Sequence, residues 1–300
     1  MYTIELVQVR KNYGDFVAVK NLTFNIEQGS VFGLLGPNGA GKTSTIRMMI
    51  GITAPDSGEV RLFGRPFDRK ALEKVGYLPE ERGLYKKMQM LDQLIFLAEL
   101  HGMAAAAARQ EAIEWCNRLD ISDKLASKVE ELSKGMQQKI QFIAALLHDP
   151  DFIIMDEPFA GLDPVNADLL KNVLLEMKKK GKTILFSTHR MDQVEKLCDS
   201  ICLINRGEAV LQGDLKQIKA RYGKNSVQIG YEGDGAFLEH NTLVSAFNDY
   251  GNYVEVRLAP GADPQQLLHM VAERSRIDRF ELMEPSLEEI FKEVVGKTDA

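Results

Sequence analysis

Hydrophobic and polar positions alternate over residues 4–9 and again over 22–26, a period of two that predicts two half-buried antiparallel strands. Residues 31–35 are apolar throughout and predict a buried strand. A helical period follows over 45–50 and ends at Gly51. Pro55 to Gly58 reads as a turn, 59–63 as a strand, and 74–79 as a strand stopped by Pro79. From Leu91 to about His148 the pattern is helical. Leu94, Ile95, Leu97 and Ala98 share one face, and the alanine run 104–108 leads into Ile113, Trp115, Cys116 and Leu119. An amphipathic helix over 139–148 stops at Asp149-Pro150. Residues 152–155 are apolar and end in Asp156-Glu157, which describes a buried strand with carboxylates at its C-terminal edge. A helix over 165–180, a buried strand over 183–187, and two strands (200–204 and 208–211) around an Asn205-Arg-Gly207 hairpin complete this part.

Strand-like alternation returns at 227–229, 254–258 and 277–282. An amphipathic helix spans 265–274, and Ser286 caps a final helix. The chain therefore divides into an α/β domain over 1–220, with a helical insert at about 82–150, and an accessory α+β domain over 221–300.

Composition narrows the class. The chain has 300 residues, 45% hydrophobic and 27% charged, as in ordinary globular proteins. A net charge of −6 argues against a nucleic-acid surface. No apolar run approaches the roughly 18 residues that span a bilayer. The first residues lack a basic n-region and an apolar h-region, so no signal peptide is expected. Cys116, Cys198 and Cys202 fit no metal or redox spacing and read as buried, reduced thiols of a cytosolic protein.

The chemistry centres on Gly36-Pro37-Asn38-Gly39-Ala40-Gly41-Lys42-Thr43, which fits the phosphate-binding loop pattern G-x-x-x-x-G-K-[ST]. Gly36, Gly39 and Gly41 free the backbone to turn its N–H groups toward a phosphate, and the next helix adds its positive end. Lys42 supplies a cation for β- and γ-phosphates, and Thr43 a hydroxyl for Mg²⁺. Asp156 is placed to hold Mg²⁺ through water, and Glu157 to orient or deprotonate an attacking water. Tyr13, beside Gly14, could stack on a base or be a turn tyrosine. Ser133 and Gly135 could cap a helix or form a second anion site. His189, at the C-terminal edge of a strand, is a candidate γ-phosphate contact.

In this order, the motifs resemble those of the ATP-binding subunit of an ABC transporter, over about residues 4–213. The resemblance implies a P-loop NTPase fold of ABC type: a mixed sheet with an antiparallel β subdomain and a helical insert. It implies that ATP and Mg²⁺ are bound, with Ser44 next to the loop motif. It makes Tyr13 the adenine-stacking aromatic, and Ser133 and Gly135 part of the signature motif. Asp163 becomes the D-loop aspartate, Glu157 the catalytic glutamate and His189 the switch histidine. Glu80 stands where the family usually has a glutamine that meets Mg²⁺ and the lytic water. The resemblance further implies a head-to-tail dimer of ATP-binding subunits, a separate integral-membrane permease seated on the helical insert, and a place on the cytoplasmic face of the membrane. Nucleic acid is not an expected partner. Pro285 to Phe291 is similar to bacterial ABC-2-type exporter ATPases, including sodium-efflux ones, which favours export. A soluble ABC-type ATPase is the alternative function.

Overall fold

A computed structural model of the chain describes residues 1–81, 83–222, 226–232 and 236–298. The chain divides into two compact units, Met1–Gly213 and Asp214–Ala300.

In the first unit, β1 (Tyr2–Tyr13) and β2 (Phe16–Glu27) form an antiparallel hairpin. Both strands are longer than the alternation at 4–9 and 22–26 suggests. Their extensions contain register shifts, which interrupt the period of two and so hide the strand. The fully buried β3 (Val31–Leu35) runs into a loop and then α1 (Lys42–Met49). β4 (Ser57–Leu62) pairs with β1, and β5 (Arg65–Pro66) completes a sheet of order β2-β1-β4-β5.

β6 (Val75–Leu78) leads to α2 (Met90–Leu100), α3 (Ala105–Arg118) and α4 (Lys134–Leu146). The helical run is thus three helices. It breaks at Gly102, with φ 85°, and at Asp120, with φ 55°, both left-handed. α4 begins at Lys134 instead of 139 because Ser133 caps it: Ser133 Oγ accepts the Met136 N–H at 3.2 Å. The Ser133–Gly135 stretch therefore forms the first turn of a helix.

β7 (Phe152–Asp156), α5 (Pro164–Lys179), β8 (Thr183–Thr188), α6 (Met191–Leu197), β9 (Ser200–Asn205) and β10 (Glu208–Asp214) follow. The central sheet has the order β10-β9-β3-β8-β7-β6. β3 pairs in parallel with β8 and β9, and β7 with β8 and β6, so the C-terminal ends of β3, β6, β7 and β8 share one edge. One core joins the two sheets: Ile4, Leu6, Leu22 and Ile26 of the hairpin pack with Leu34, Ile46, Phe152 and Leu185. Phe24 stacks on Phe32 with ring centroids 5.2 Å apart.

The second unit holds α7 (Leu215–Tyr222), β11 (Ser226–Glu232), α8 (Ala236–Glu239), β12 (Val244–Asp249), β13 (Val254–Leu258), α9 (Pro264–Ala272), β14 (Arg276–Met283) and α10 (Leu287–Thr298). The units divide ahead of α7, whereas the change in sequence pattern suggested 220/221. The antiparallel sheet has the order β12-β13-β11-β14. Val227, Ile229, Val254, Val256, Leu267 and Val271 form its core. Sequence periodicity misses β12, which is at most half-buried and shifts register between Val244 and Ala246.

Each unit has its own buried cluster. A chain ending at Gly213 is therefore expected to melt in one cooperative transition by circular dichroism. A gradual, non-cooperative loss of signal would contradict two separately packed cores.

Candidate functional site

The turn between β3 and α1 is shaped by backbone crowding. Gly36 has φ 150° and Gly41 φ 110°. A Cβ on Gly36 would lie 2.2 Å from the Ile204 carbonyl oxygen, and one on Gly41 2.5 Å from that of Ala18. Neither carbonyl can yield without moving its strand, so only glycine fits. Ala40 N–H donates to Pro37 O at 3.2 Å, and Thr45 Oγ1 donates to Gly41 O at 2.9 Å. These bonds tie the loop to the first turn of α1.

Lys42 is 7% exposed and donates through Nζ to Gly36 O at 2.8 Å and Pro37 O at 3.1 Å. Burial lowers its pKa, while Glu157, Asp156 and Glu80 each pull it upward. One ammonium thus faces three carboxylates, a negative excess that favours a cation. Thr43 Oγ1 donates to Asp156 Oδ2 at 2.9 Å, and Asp156 Oδ1 accepts from Ser187 Oγ. Since the Thr43 proton points at Asp156, the lone pairs of Oγ1 remain for a metal ion. The set is all hard oxygen, which suits Mg²⁺.

Glu157 follows Asp156 with φ 50° and continues the ladder by donating its N–H to Ser187 O at 3.0 Å. Its carboxylate is held on both oxygens. Oε2 accepts from Thr188 Oγ1 at 3.0 Å. Oε1 accepts from His189 N at 3.0 Å and meets His189 Nδ1 at 2.7 Å. A carboxylate can only accept, so that ring nitrogen carries the proton.

A cavity of about 310 Å³ gathers Asn38, Gly39, Gly41, Lys42, Thr43, Ser44, Glu80, Asp156 and Glu157. Gly36, Pro37 and Ala40 form the turn behind it. Glu80 comes to this edge from the loop after β6, and His189 joins through Glu157. Tyr13 does not line the cavity. It is 42% exposed at the end of β1, with Lys11 Nζ 5.8 Å from its ring centre. Phe16 and Ala18 line the cavity instead, and Phe16 is 62% exposed. An aromatic ring that opens a strand two residues after Gly14 was the available signal for it. Ser187 and Thr188 were also missed, since only strand pairing brings them to the carboxylates.

Ser133, Gly135 and Asp163 do not line this cavity. Ser133 is exposed at the cap of α4. Gly135 has an ordinary φ, and an added Cβ would meet only Leu162 Cδ2, at 3.8 Å. Asp163 caps α5: its carboxylate accepts the Asn166 N–H at 2.9 Å, which lowers its pKa.

The matches to known proteins follow the same division. Residues 19–160 match the family model described as ABC transporter, and 213–295 match the C-terminal domain of DrrA1-3-like ATP-binding proteins. The uncharacterized ABC transporter ATP-binding protein YhaQ of Bacillus subtilis is 46% identical over 296 residues, covering 99% of both chains. Nod factor export ATP-binding protein I of Paraburkholderia xenovorans is 40% identical over 213 residues, 70% of each chain. A solved ATP-binding subunit of an ABC transporter is 30% identical, with a TM-score of 0.69 over 74% of this chain and 93% of its own.

The loop geometry separates two glycines by experiment. Gly36→Ala is expected to lower the melting temperature sharply, because its Cβ would strike the Ile204 backbone. Gly39 has φ 79° and nothing within 4 Å of an added Cβ, so Gly39→Ala should cost only about 1–2 kcal/mol of backbone strain. Equal melting of both variants and wild type would contradict this geometry.

Proposed function

We propose a function from one premise: the chain belongs to the ABC transporter family of ATP-binding proteins. It is an ATP-binding subunit of that kind, and we infer that it hydrolyses ATP to drive a separate membrane permease. The observation that carries this reading is the convergence of Lys42, Thr43, Glu80, Asp156 and Glu157 on one cavity.

In the proposed reaction the loop N–H groups and Lys42 cradle the β- and γ-phosphates, and Thr43 and Asp156 would hold Mg²⁺. Bound there, Mg²⁺ would neutralise charge that develops on the phosphate oxygens. Glu157 polarises a water, whose oxygen attacks the γ-phosphorus as the bond to ADP breaks. The water's proton passes to the Glu157 carboxylate. His189 holds that carboxylate from the other side, and Phe16, with Tyr13 nearby, offers an aromatic face to the base. Glu80 adds an acceptor that can meet the metal's water.

Two features support a second copy of the chain as partner. Ser133 lies exposed at the start of a 13-residue helix, a geometry suited to an anion. Among the described residues an added Cβ at 135 would meet only Leu162 Cδ2, in ordinary contact at 3.8 Å, so a close approach from outside is a consistent reason for glycine there. Head-to-tail pairing would bring this turn and Asp163 to the partner's nucleotide. An apolar cavity of about 340 Å³, lined by Ile50, Leu72, Tyr77, Leu84, Leu97 and Ala144, lies between the sheet and the helical insert. It suits an apolar segment of the permease. No helix among the described residues is long and apolar enough to cross a membrane. The family match supports a peripheral place on the cytoplasmic face, beside the permease. The resemblance to a Nod factor export protein favours export. The second unit is proposed as an accessory domain for dimer or partner contact.

Lys42→Ala should reduce ATP binding or hydrolysis by at least about 10²-fold, the scale of losing one preorganised charge contact. Glu80→Gln should retain substantial turnover, and Glu80→Ala less, as read by phosphate release. Glu157→Gln should bind MgATP nearly as wild type while turnover stops. Unhydrolysed ATP should then hold two chains together on a sizing column, and Ser133→Arg should abolish that dimer. A Glu157→Gln chain that binds ATP yet stays monomeric would reject head-to-tail pairing of the isolated subunit.

A further inference from the structure

Both oxygens of Glu157 are held, by hydroxyl, amide and imidazole donors that all come from the end of β8 and the residue after it. An ionised carboxylate has about four lone-pair sites, two on each oxygen. His189 N–H and the Nδ1 proton, at 3.0 and 2.7 Å, fill those of Oε1. Oε2 receives one donor, Thr188 Oγ1, at 3.0 Å. One lone pair on Oε2 is therefore left to face a water.

Thr188 is fully buried, and its hydroxyl is committed on both sides. Oγ1 accepts the Arg190 N–H at 3.1 Å, so its own proton is turned toward Glu157. That N–H comes from the backbone ahead of α6 and does not rotate. Short of a half-turn, which only exchanges the two equivalent oxygens, rotating the Glu157 carboxylate about its last torsion would break its Thr188 bond and at least one of its His189 bonds together.

We infer that Thr188 is a positioning residue for the hydrolytic step: its hydroxyl fixes the Glu157 carboxylate so that Oε2 is the oxygen that takes the water's proton. This rests on the ATPase reading above. Thr188 touches neither nucleotide nor metal in this account, so its loss acts on turnover and spares binding. A purely structural threonine would show the opposite division, with stability and affinity changing together.

The test uses the full chain with MgATP. Thr188→Val keeps the shape and removes the hydroxyl. It should lower kcat by about 10–100-fold, the scale of a small misplacement of a reacting group. KM and the affinity for a fluorescent ATP analogue should stay within about twofold of wild type, the pattern of an interaction that matters in the transition state alone. Thr188→Ala, a second variant without the hydroxyl, should do the same. Thr188→Ser keeps the hydroxyl and should restore most of the rate. Wild-type kcat in both Val and Ala variants would overturn the proposal, as would equal loss in Val and Ser, or loss confined to nucleotide affinity. Absence of turnover in the wild-type chain would instead remove the ATPase reading, and this inference with it.

Discussion

In the central sheet Leu35 lies opposite Thr188, and Ser187 lies opposite Asp156. These parallel pairings of β3, β8 and β7 are what the site depends on. A period-two strand that slips by one residue turns every side chain to the other face. Such a slip in β8 would withdraw the Ser187 hydroxyl from Asp156 and the Thr188 hydroxyl from Glu157. A slip in β7 would take Asp156 away from Thr43. Leu34, Phe152, Ile154 and Leu185 hold the register by packing into the core shared with the hairpin; all three strands are buried on both faces, so a slip would set side chains of other shapes into that core, a misfit that costs about 1–3 kcal/mol at a well-packed site. The chemistry at the sheet edge is thus fixed by packing inside the sheet.

Charge gives the second constraint. Lys42 lies buried among Glu80, Asp156 and Glu157, and burial outweighs their attraction in setting its pKa. The unbalanced carboxylates are separated in their bonding: Asp156 is tied to Thr43 and Ser187, Glu157 to Thr188 and His189. Two acids adjacent in sequence can therefore serve different ends, one toward a metal and one toward a water. The positive φ at Glu157 is consistent with this, since it turns the second acid out of the strand's alternation while its N–H keeps the ladder bond to Ser187.

The sequence made the contiguous parts of this arrangement readable. Gly36 to Thr43 states its own loop, and Phe152–Asp156 is a buried strand in both pattern and structure. What it withheld depends on contacts distant in the chain. Thr188 reaches Glu157 across 31 residues, and nothing in the spacing signals it. Phe16 lines the cavity and Tyr13 does not, although the two pair across the β1–β2 hairpin. The start of α4 was placed late because Lys134, Gly135 and Gln137 carry no apolar period, whereas the Ser133 cap defines the end by hydrogen bonding. β12 lacked a pattern because a register shift erased it.

On the proposed reading, this edge of the sheet hydrolyses ATP with the chain's own carboxylates. Phosphate release from ATP by the wild-type full chain, followed with magnesium and with the metal chelated, tests it most directly. Steady multiple-turnover release is expected, stopping on chelation, with a rate per chain that rises with chain concentration until the paired state is filled. A chain that binds MgATP tightly, yet releases no phosphate above buffer at any concentration, would contradict it.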